Sequence, residues 1–192
     1  MRRVVVLNHM TLDGVMQGPG RSDEDTRDGF EHGGWSMADN DDVMGQAMGS
    51  RMAGSGGLLL GRRTYDDLLA YWNTTDSPFK DALNNSPKYV ASHTSDPLPW
   101  PNSTALTGDV PKAVADLKEA PGNDLNIMGS GLLIQSLMPH GLIDEYMLMI
   151  HPLVLGSGRR LFPDDSPATT LRLIDTTTTT TGVVIATYRP KS

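Results

Sequence analysis

The segment Leu58-Leu59-Leu60-Gly61-Arg62-Arg63-Thr64-Tyr65 sets two guanidinium groups and a hydroxyl directly after an apolar run and a glycine. Read as a buried strand turning into a helix, it is an anion site in outline. A helix start offers unpaired N–H groups and about half a positive charge, and Arg62, Arg63 and Thr64 add side-chain donors suited to a phosphate. The alternative is a plain strand-to-helix turn with solvent-facing arginines. A second turn of the same kind is Ile127-Met128-Gly129-Ser130-Gly131-Leu132-Leu133, where glycines let backbone approach a ligand closely before another apolar helix. Two phosphate-sized sites in one chain point to a dinucleotide.

The second turn is not a Rossmann fingerprint. Ile134 stands where the third glycine belongs, and no acidic residue sits about twenty positions further on. Ser92-His93-Thr94 follows a strand and is placed either for a ligand at the strand's carboxyl end or as a hydroxyl-rich turn. Among acids, Asp13 in Met10-Thr11-Leu12-Asp13-Gly14 is a candidate proton donor just past the first strand, with an ordinary Asp-Gly turn as the alternative. Asp144 and Glu145 open an apolar strand, so one of them faces a cleft while the other caps or pairs. His9 and His151 flank strands without metal-ligand spacing and read as packed or hydrogen-bonded histidines. No metal site is expected. No serine sits in a Gly-x-Ser-x-Gly elbow, which argues against nucleophilic hydrolysis.

Positioning these residues requires an α/β framework. Apolar runs bounded by Gly and Pro alternate with stretches of helical period. Strands are predicted over Val4–Asn8, Gly57–Leu60, Tyr89–Ser92 and Asn126–Met128, and helices over about Asp41–Ala53, Thr64–Tyr71, Val110–Lys118 and Leu132–His140. These strands should be largely parallel. Beyond Gly141 the pattern changes: Glu145–His151 is extended, and Leu171–Thr178 with Val183–Tyr188 brackets Gly182 like a hairpin, so the sheet should end in antiparallel strands. The run Thr176–Thr181 suits an edge strand, because β-branched residues favour extended backbone.

With 192 residues, 38% of them hydrophobic and 20% charged, the chain reads as a single soluble domain, 1–192. Its net charge of −7 argues against nucleic acid, which a basic surface must neutralise. The acidic stretches Ser22–Asp28 and Asp39–Asp42 read as a solvated loop and a helix start. Absent cysteine excludes disulfides and thiolate metal sites and fits the cytoplasm. The opening Met1–Asn8 is too short in apolar residues for a leader and reads as strand one, and no run is long enough to span a membrane.

Taken in order, these pieces resemble the dihydrofolate reductase superfamily over almost the whole chain. They are Val6-Leu7-Asn8 leading to Leu12-Asp13-Gly14-Val15, the Gly61–Tyr65 turn, Lys88–Ser92, Met128–Gly131, Gly141-Leu142-Ile143-Asp144-Glu145 and Pro152–Phe162. The branch they resemble most is the C-terminal reductase domain of RibD-type riboflavin biosynthesis proteins. The resemblance implies a three-layer fold, with helices on both faces of a twisted, mostly parallel sheet that ends in antiparallel strands. It also implies an NADPH-dependent reductase acting on a small molecule, and a homodimer, to which apolar residues on both faces of Glu145–His151 add.

By this resemblance Gly61, Arg62, Arg63 and Thr64 match the turn holding the cofactor's phosphates. Ser92, His93 and Thr94 match the strand end at the adenosine 2′-phosphate, and Gly129, Ser130 and Gly131 match the turn against the pyrophosphate and nicotinamide ribose. Asp13 matches the acid lining the substrate cleft, and Glu145 the acid of the Leu-Val-Asp-Glu motif. Where His93 stands the family has Arg or Ser, and a neutral imidazole is a poor phosphate partner that protonation would improve. In the riboflavin pathway such a domain reduces the ribosylamino group of a pyrimidine phosphate. Two departures bear on the substrate. The zinc deaminase half is missing, and the acidic loop Gly18–Gly34 is a poor neighbour for a substrate phosphate, which leaves a non-phosphorylated heterocycle or a pterin-type substrate as alternatives. A module that binds NADPH without turnover is the reading from another class.

Overall fold

Val4, Val5, Val6 and Leu7 are apolar toward both sides of an extended chain, which suits only a strand covered on both faces. They form the first half of β1 (Val4–Thr11) and are fully buried. The structure is a computed structural model that describes residues 1–76, 78–94 and 96–191. Among these residues the other strands are β2 (Gly57–Gly61), β3 (Lys88–Ala91), β4 (Ser103–Leu106), β5 (Leu125–Met128), β6 (Glu145–His151), β7 (Leu171–Thr178) and β8 (Val184–Pro190). They make one sheet in the order β4-β3-β2-β5-β1-β6-β8-β7. Every pairing from β4 through to β6 is parallel, and β8 runs antiparallel to both β6 and β7.

Helices α1 (Asp42–Ala53), α2 (Arg62–Trp72) and α3 (Pro78–Asn85) cover one face, and α4 (Val110–Glu119) and α5 (Gly131–Leu137) cover the other. Strand alternation dictates this division. Val5 and Leu7 meet Met44 of α1, and Leu58 and Leu60 meet Tyr65 and Leu83 of α2 and α3. Val4, Val6, Leu59 and Ile127 pack with Val114 of α4 and Leu133, Ile134 and Leu137 of α5. The three-layer α/β fold is therefore the one the pattern predicts. Helix starts follow their caps: the Asp41 carboxylate accepts the Met44 N–H at 2.9 Å, and the Asp109 carboxylate accepts that of Lys112 at 3.0 Å.

Four local expectations change. The helix expected over Leu132–His140 stops at Leu137, because Pro139 lacks an N–H and the chain tightens into a 3-10 turn over Met138–His140. Neither α3 nor β4 was anticipated; both are short, and β4 is an edge strand with Thr104 and Ala105 exposed. The apolar residues of β6 are covered from within the chain, Met147 and Met149 by α1 and Tyr146 and Leu148 by the α4–α5 layer. A second chain is not needed for that cover. Finally, only Thr176–Thr178 of the threonine run belong to β7. The next three form the hairpin turn and reach back to the start of α1: Thr180 donates through N–H and hydroxyl to Asp41 Oδ2, both at 2.7 Å, and the Thr181 hydroxyl donates to the Asp39 carbonyl at 2.7 Å.

Candidate active site

The chain leaves β1 toward β2, β3 and β4, then returns through α4 to insert β5 between β2 and β1 and crosses on α5 to β6. The direction of travel reverses around β5. In open parallel sheets ligands bind beyond the carboxyl ends of the strands at such a reversal. A cavity of about 780 Å³ opens there, lined at its floor by the ends of β1, β2, β3 and β5. That volume falls within the roughly 300–1,000 Å³ usual for small-molecule sites.

Two turns cross on the cavity floor. The Gly61 N–H donates to Ser130 Oγ at 2.9 Å, the Ser130 N–H donates to Thr64 Oγ1 at 3.2 Å, and Ser130 Oγ donates to the Met128 carbonyl at 3.2 Å. Gly129 and Ser130 both adopt left-handed backbone, at φ +58° and +53°. A Cβ at Gly129 would lie 3.3 Å from Thr64 Cγ2, so glycine there permits both the turn and the close approach. Neither α2 nor α5 is capped by its own N-cap side chain, which leaves first-turn N–H groups for a bound anion.

The remaining cofactor candidates divide. Gly61, Arg62, Arg63, Thr64, Ser92, His93, Gly129, Ser130 and Gly131 all line the cavity, and Thr94 does not. Arg62 already pairs with Asp66 at 2.9 Å and donates to the Asp96 carbonyl, whereas Arg63 is exposed with no partner among the described residues. Thr94 shapes its turn instead: its N–H donates to Ser92 Oγ at 3.2 Å and its hydroxyl to Asp96 at 2.8 Å.

Neither predicted acid is in the cavity wall. The Asp13 carboxylate accepts from Thr11 Oγ1 at 2.5 Å, from the Gly156 N–H at 2.8 Å and from the Leu155 N–H at 3.3 Å. Those bonds, the Thr11 hydroxyl first, hold its pKa below the ordinary carboxylate value. An acid stabilised in its ionised form is a poor proton donor, and Asp13 serves as the tie between the first turn and the 155–160 loop. Glu145 is the first residue of β6 and therefore lies at the amino end of the sheet, opposite the cavity. It is 1% exposed and pairs with Arg3 at 3.1 Å, Arg189 at 2.8 Å and Arg51. Asp144 is likewise structural, accepting from the Val4 N–H at 2.7 Å and Lys118 Nζ at 2.5 Å.

The groups that do line the cavity include two that sequence reasoning passed over. Glu24 anchors the loop after β1, accepting the Gly20 N–H at 2.5 Å and the Arg21 N–H at 3.1 Å, and burial pushes its pKa above the ordinary value. His9, on β1, reaches the cavity with its ring while Nδ1 lies 2.9 Å from His151 Nε2. His151 Nδ1 in turn donates to Asp39 Oδ2 at 2.8 Å, and the Trp35 ring packs edge-on against His151 at 5.1 Å. Burial first, then His151, lowers the His9 pKa to about 4, so the ring is neutral near pH 7. The sequence carried the signal: His9 and His151 sit at the carboxyl ends of two strands expected to be parallel. Among the described residues no group of three or more His, Cys, Asp or Glu could hold a metal ion, and no helix is long and apolar enough to cross a membrane.

The sequence profile of the RibD C-terminal domain matches residues 2–185. The chain is 28% identical over 197 residues to the uncharacterized protein YyaP of Bacillus subtilis (strain 168), a match covering 97% of this chain and 94% of that one. The putative riboflavin biosynthesis protein of Shewanella sp. PV-4 superposes with a TM-score of 0.72 at 25% identity over 100% of both chains. Dihydrofolate reductase of Enterococcus faecalis, complexed with NADP(H), superposes with a TM-score of 0.60 at 13% identity over 99% of this chain and 97% of that one, a likeness of fold.

Proposed function

Because the chain belongs to the RibD C-terminal domain family, we propose that it is an NADPH-dependent reductase of a small, non-phosphorylated heterocycle bearing an imine-like bond. Family and fold neighbours support a reductase-type role. The observation that carries the cofactor is the crossing of the Gly61–Thr64 and Gly129–Gly131 turns at Ser130 on the cavity floor. The residues present fit a dinucleotide phosphate chain: two helix starts with free N–H groups, a left-handed glycine where backbone must come close, and the unpartnered Arg63 for a 2′-phosphate. When bound, the reduced nicotinamide supplies the hydride. The protein's task is to align the substrate, exclude water and deliver a proton.

The substrate wall favours a neutral or cationic molecule. Of the arginines that line it from the loop after β1 and from the 155–160 loop, Arg27 pairs with Asp25, Arg159 pairs with Asp28 at 2.8 Å through one terminal nitrogen while its Nε has no partner among the described residues, and Arg160 donates to the Asp13 carbonyl at 2.9 Å. A phosphate there would compete with these carboxylates for the guanidinium groups. The test is fluorescence titration with NADPH and NADH, followed by NADPH oxidation with pterin, dihydrofolate and ribosylaminopyrimidine substrates, phosphorylated and not. Tighter NADPH binding and turnover of a non-phosphorylated compound are expected. Binding without oxidation of NADPH by any of them would overturn the enzyme reading.

A further inference from the structure

We propose that His9 is the proton donor of this cavity, and that His151 and Asp39 are positioning residues that supply it through a hydrogen-bonded relay. The inference rests on the reductase reading above and adds the source of the proton that reading requires.

Three groups stand in line from the surface turn Met37–Asp39 to the cavity: Asp39 Oδ2, the two nitrogens of His151, and the two of His9. A carboxylate beside His151 Nδ1 fixes a hydrogen on that nitrogen, so His151 communicates with His9 only through Nε2. His151 is completely buried, and the edge of Trp35 closes one side of it. His9 bonds His151 through Nδ1, and its Nε2 has no partner among the described residues while the ring lines the cavity. The ionisable group in contact with His9 is His151 from β6, which Asp39 touches in turn; Glu24, Asp25, Arg27 and Arg63 share the cavity, and α1, packed on the same face of the sheet, brings Met44 and Met48.

The transfer balances. In the loaded state one proton beyond two neutral rings is held between His151 Nε2 and His9 Nδ1, with the Asp39 carboxylate against His151 Nδ1, and His9 carries its hydrogen on Nε2. The N–H bond at His9 Nε2 breaks as the substrate nitrogen takes that proton, and the shared proton moves onto His9 Nδ1. A bound reduced nicotinamide would supply the hydride to the carbon of the C=N bond, so that carbon and nitrogen each gain one hydrogen. The relay reloads when hydronium gives a proton to His9 Nε2, leaving water, as the His9 Nδ1 proton passes back to His151 Nε2. The positive charge is therefore shared with a ring that touches a carboxylate and is not left on His9 alone, where desolvation disfavours it.

The experiment has two arms, starting with the free protein. Two-bond ¹H–¹⁵N spectra of histidine-labelled protein should show His9 neutral, with its tautomer changed in the His151→Asn and Asp39→Asn variants. His9 ring shifts identical in all three proteins would overturn the relay. In the second arm NADPH oxidation is followed with the substrate panel above, for wild type, His9→Gln, His9→Gly, His151→Asn, Asp39→Asn and Glu24→Gln, with melting curves confirming the fold. His9→Gln should lose about 10²–10⁴-fold in kcat at unchanged NADPH affinity, with partial recovery on adding imidazole to His9→Gly. His151→Asn and Asp39→Asn should reduce kcat less and alter its solvent deuterium isotope effect. Full turnover in His9→Gln, or loss in Glu24→Gln alone, overturns the proposal and leaves the reductase reading standing. No turnover by wild type overturns the reading itself and the proposal with it.

Discussion

The hydroxyl of Ser130 accepts the N–H of Gly61 across 69 positions of sequence, at 2.9 Å, and fastens the two glycine turns of the cavity floor to each other. The same hydroxyl donates to the Met128 carbonyl, and the Ser130 N–H goes to Thr64. One small side chain thus fixes the spacing of two helix starts.

Ser130→Ala should therefore weaken NADPH more than it destabilises the fold. Losing its hydroxyl bonds costs about 1 kcal/mol, a few degrees in melting temperature for a chain of this size. Cofactor affinity should fall about tenfold, because the turns lose their register. Fluorescence titration alongside thermal melting separates the two effects.

Arg62 and Arg63 should behave differently despite being neighbours. Arg62 is committed to Asp66 and to the Asp96 carbonyl, while Arg63 is exposed and unengaged among the described residues. A charge-assisted phosphate contact contributes roughly 1.5–3 kcal/mol, so Arg63→Ala should cost tenfold or more in NADPH affinity and little for NADH. Arg62→Ala should cost less. Equal losses for both cofactors would remove Arg63 from the 2′-phosphate.

Glu145→Gln is expected to act on stability and leave cofactor binding intact. Removing a buried carboxylate that faces Arg3, Arg51 and Arg189 leaves their charges uncompensated, at a cost of about 3–5 kcal/mol. Asp13→Asn should be milder and should loosen the 155–160 loop. Urea denaturation and NADPH titration on each variant measure both outcomes.

Lys88 makes stability depend on alkaline pH. Its side chain is fully buried, with Nζ donating to the carbonyls of Leu83 and Ser86 at the end of α3, and desolvation lowers its pKa from 10.5 to about 8. Between about pH 8 and 10.5 the unfolded chain holds a proton that the folded one has lost, so folding stability rises with pH across that window. The penalty for burying the charge is present in full below pH 8. Lys88→Met should flatten this rise in urea midpoints measured from pH 7 to 10.5.

A homodimer remains the expected assembly, now on different grounds from the apolar faces of β6. The outer edge strand β7 exposes Leu173 at 51% and Ile174 at 38%, an apolar edge of the kind that pairs with a partner. Light scattering should give twice the chain mass, and Leu173→Asp should give the monomer. A monomer at micromolar wild-type protein would refute it.

Much of this was legible in the sequence, for a physical reason. β1, β2, β5 and β6 are apolar runs too short for helices, β1 being rich in β-branched residues as well, and Gly61 and Gly129 mark turns that any chain must make. The acids were harder, because Thr11-Leu12-Asp13-Gly14 shows a carboxylate without showing that Leu155 and Gly156 arrive to occupy it. Glu145 was misassigned through direction: a residue that begins a parallel strand stands at the far end from a site built on strand ends. His151 ends that strand, and it is brought to His9 by the register that pairs β6 with β1. Asp39 joins them from a turn with no periodicity to announce it.

The grip of the hairpin turn on the start of α1 also governs when the histidine wall of the cavity is complete. Thr180 and Thr181 bond Asp41 and the Asp39 backbone from 139 and 142 positions away. A nascent chain synthesised from the amino end can lay down β2, α2, β5 and α5, which carry the two glycine turns of the cavity floor, before the final hairpin emerges. The segment carrying Asp39 gains its last anchors only afterward. Closing so long a loop is slow compared with local pairing, so during synthesis competence for the cofactor should precede completion of the histidine wall.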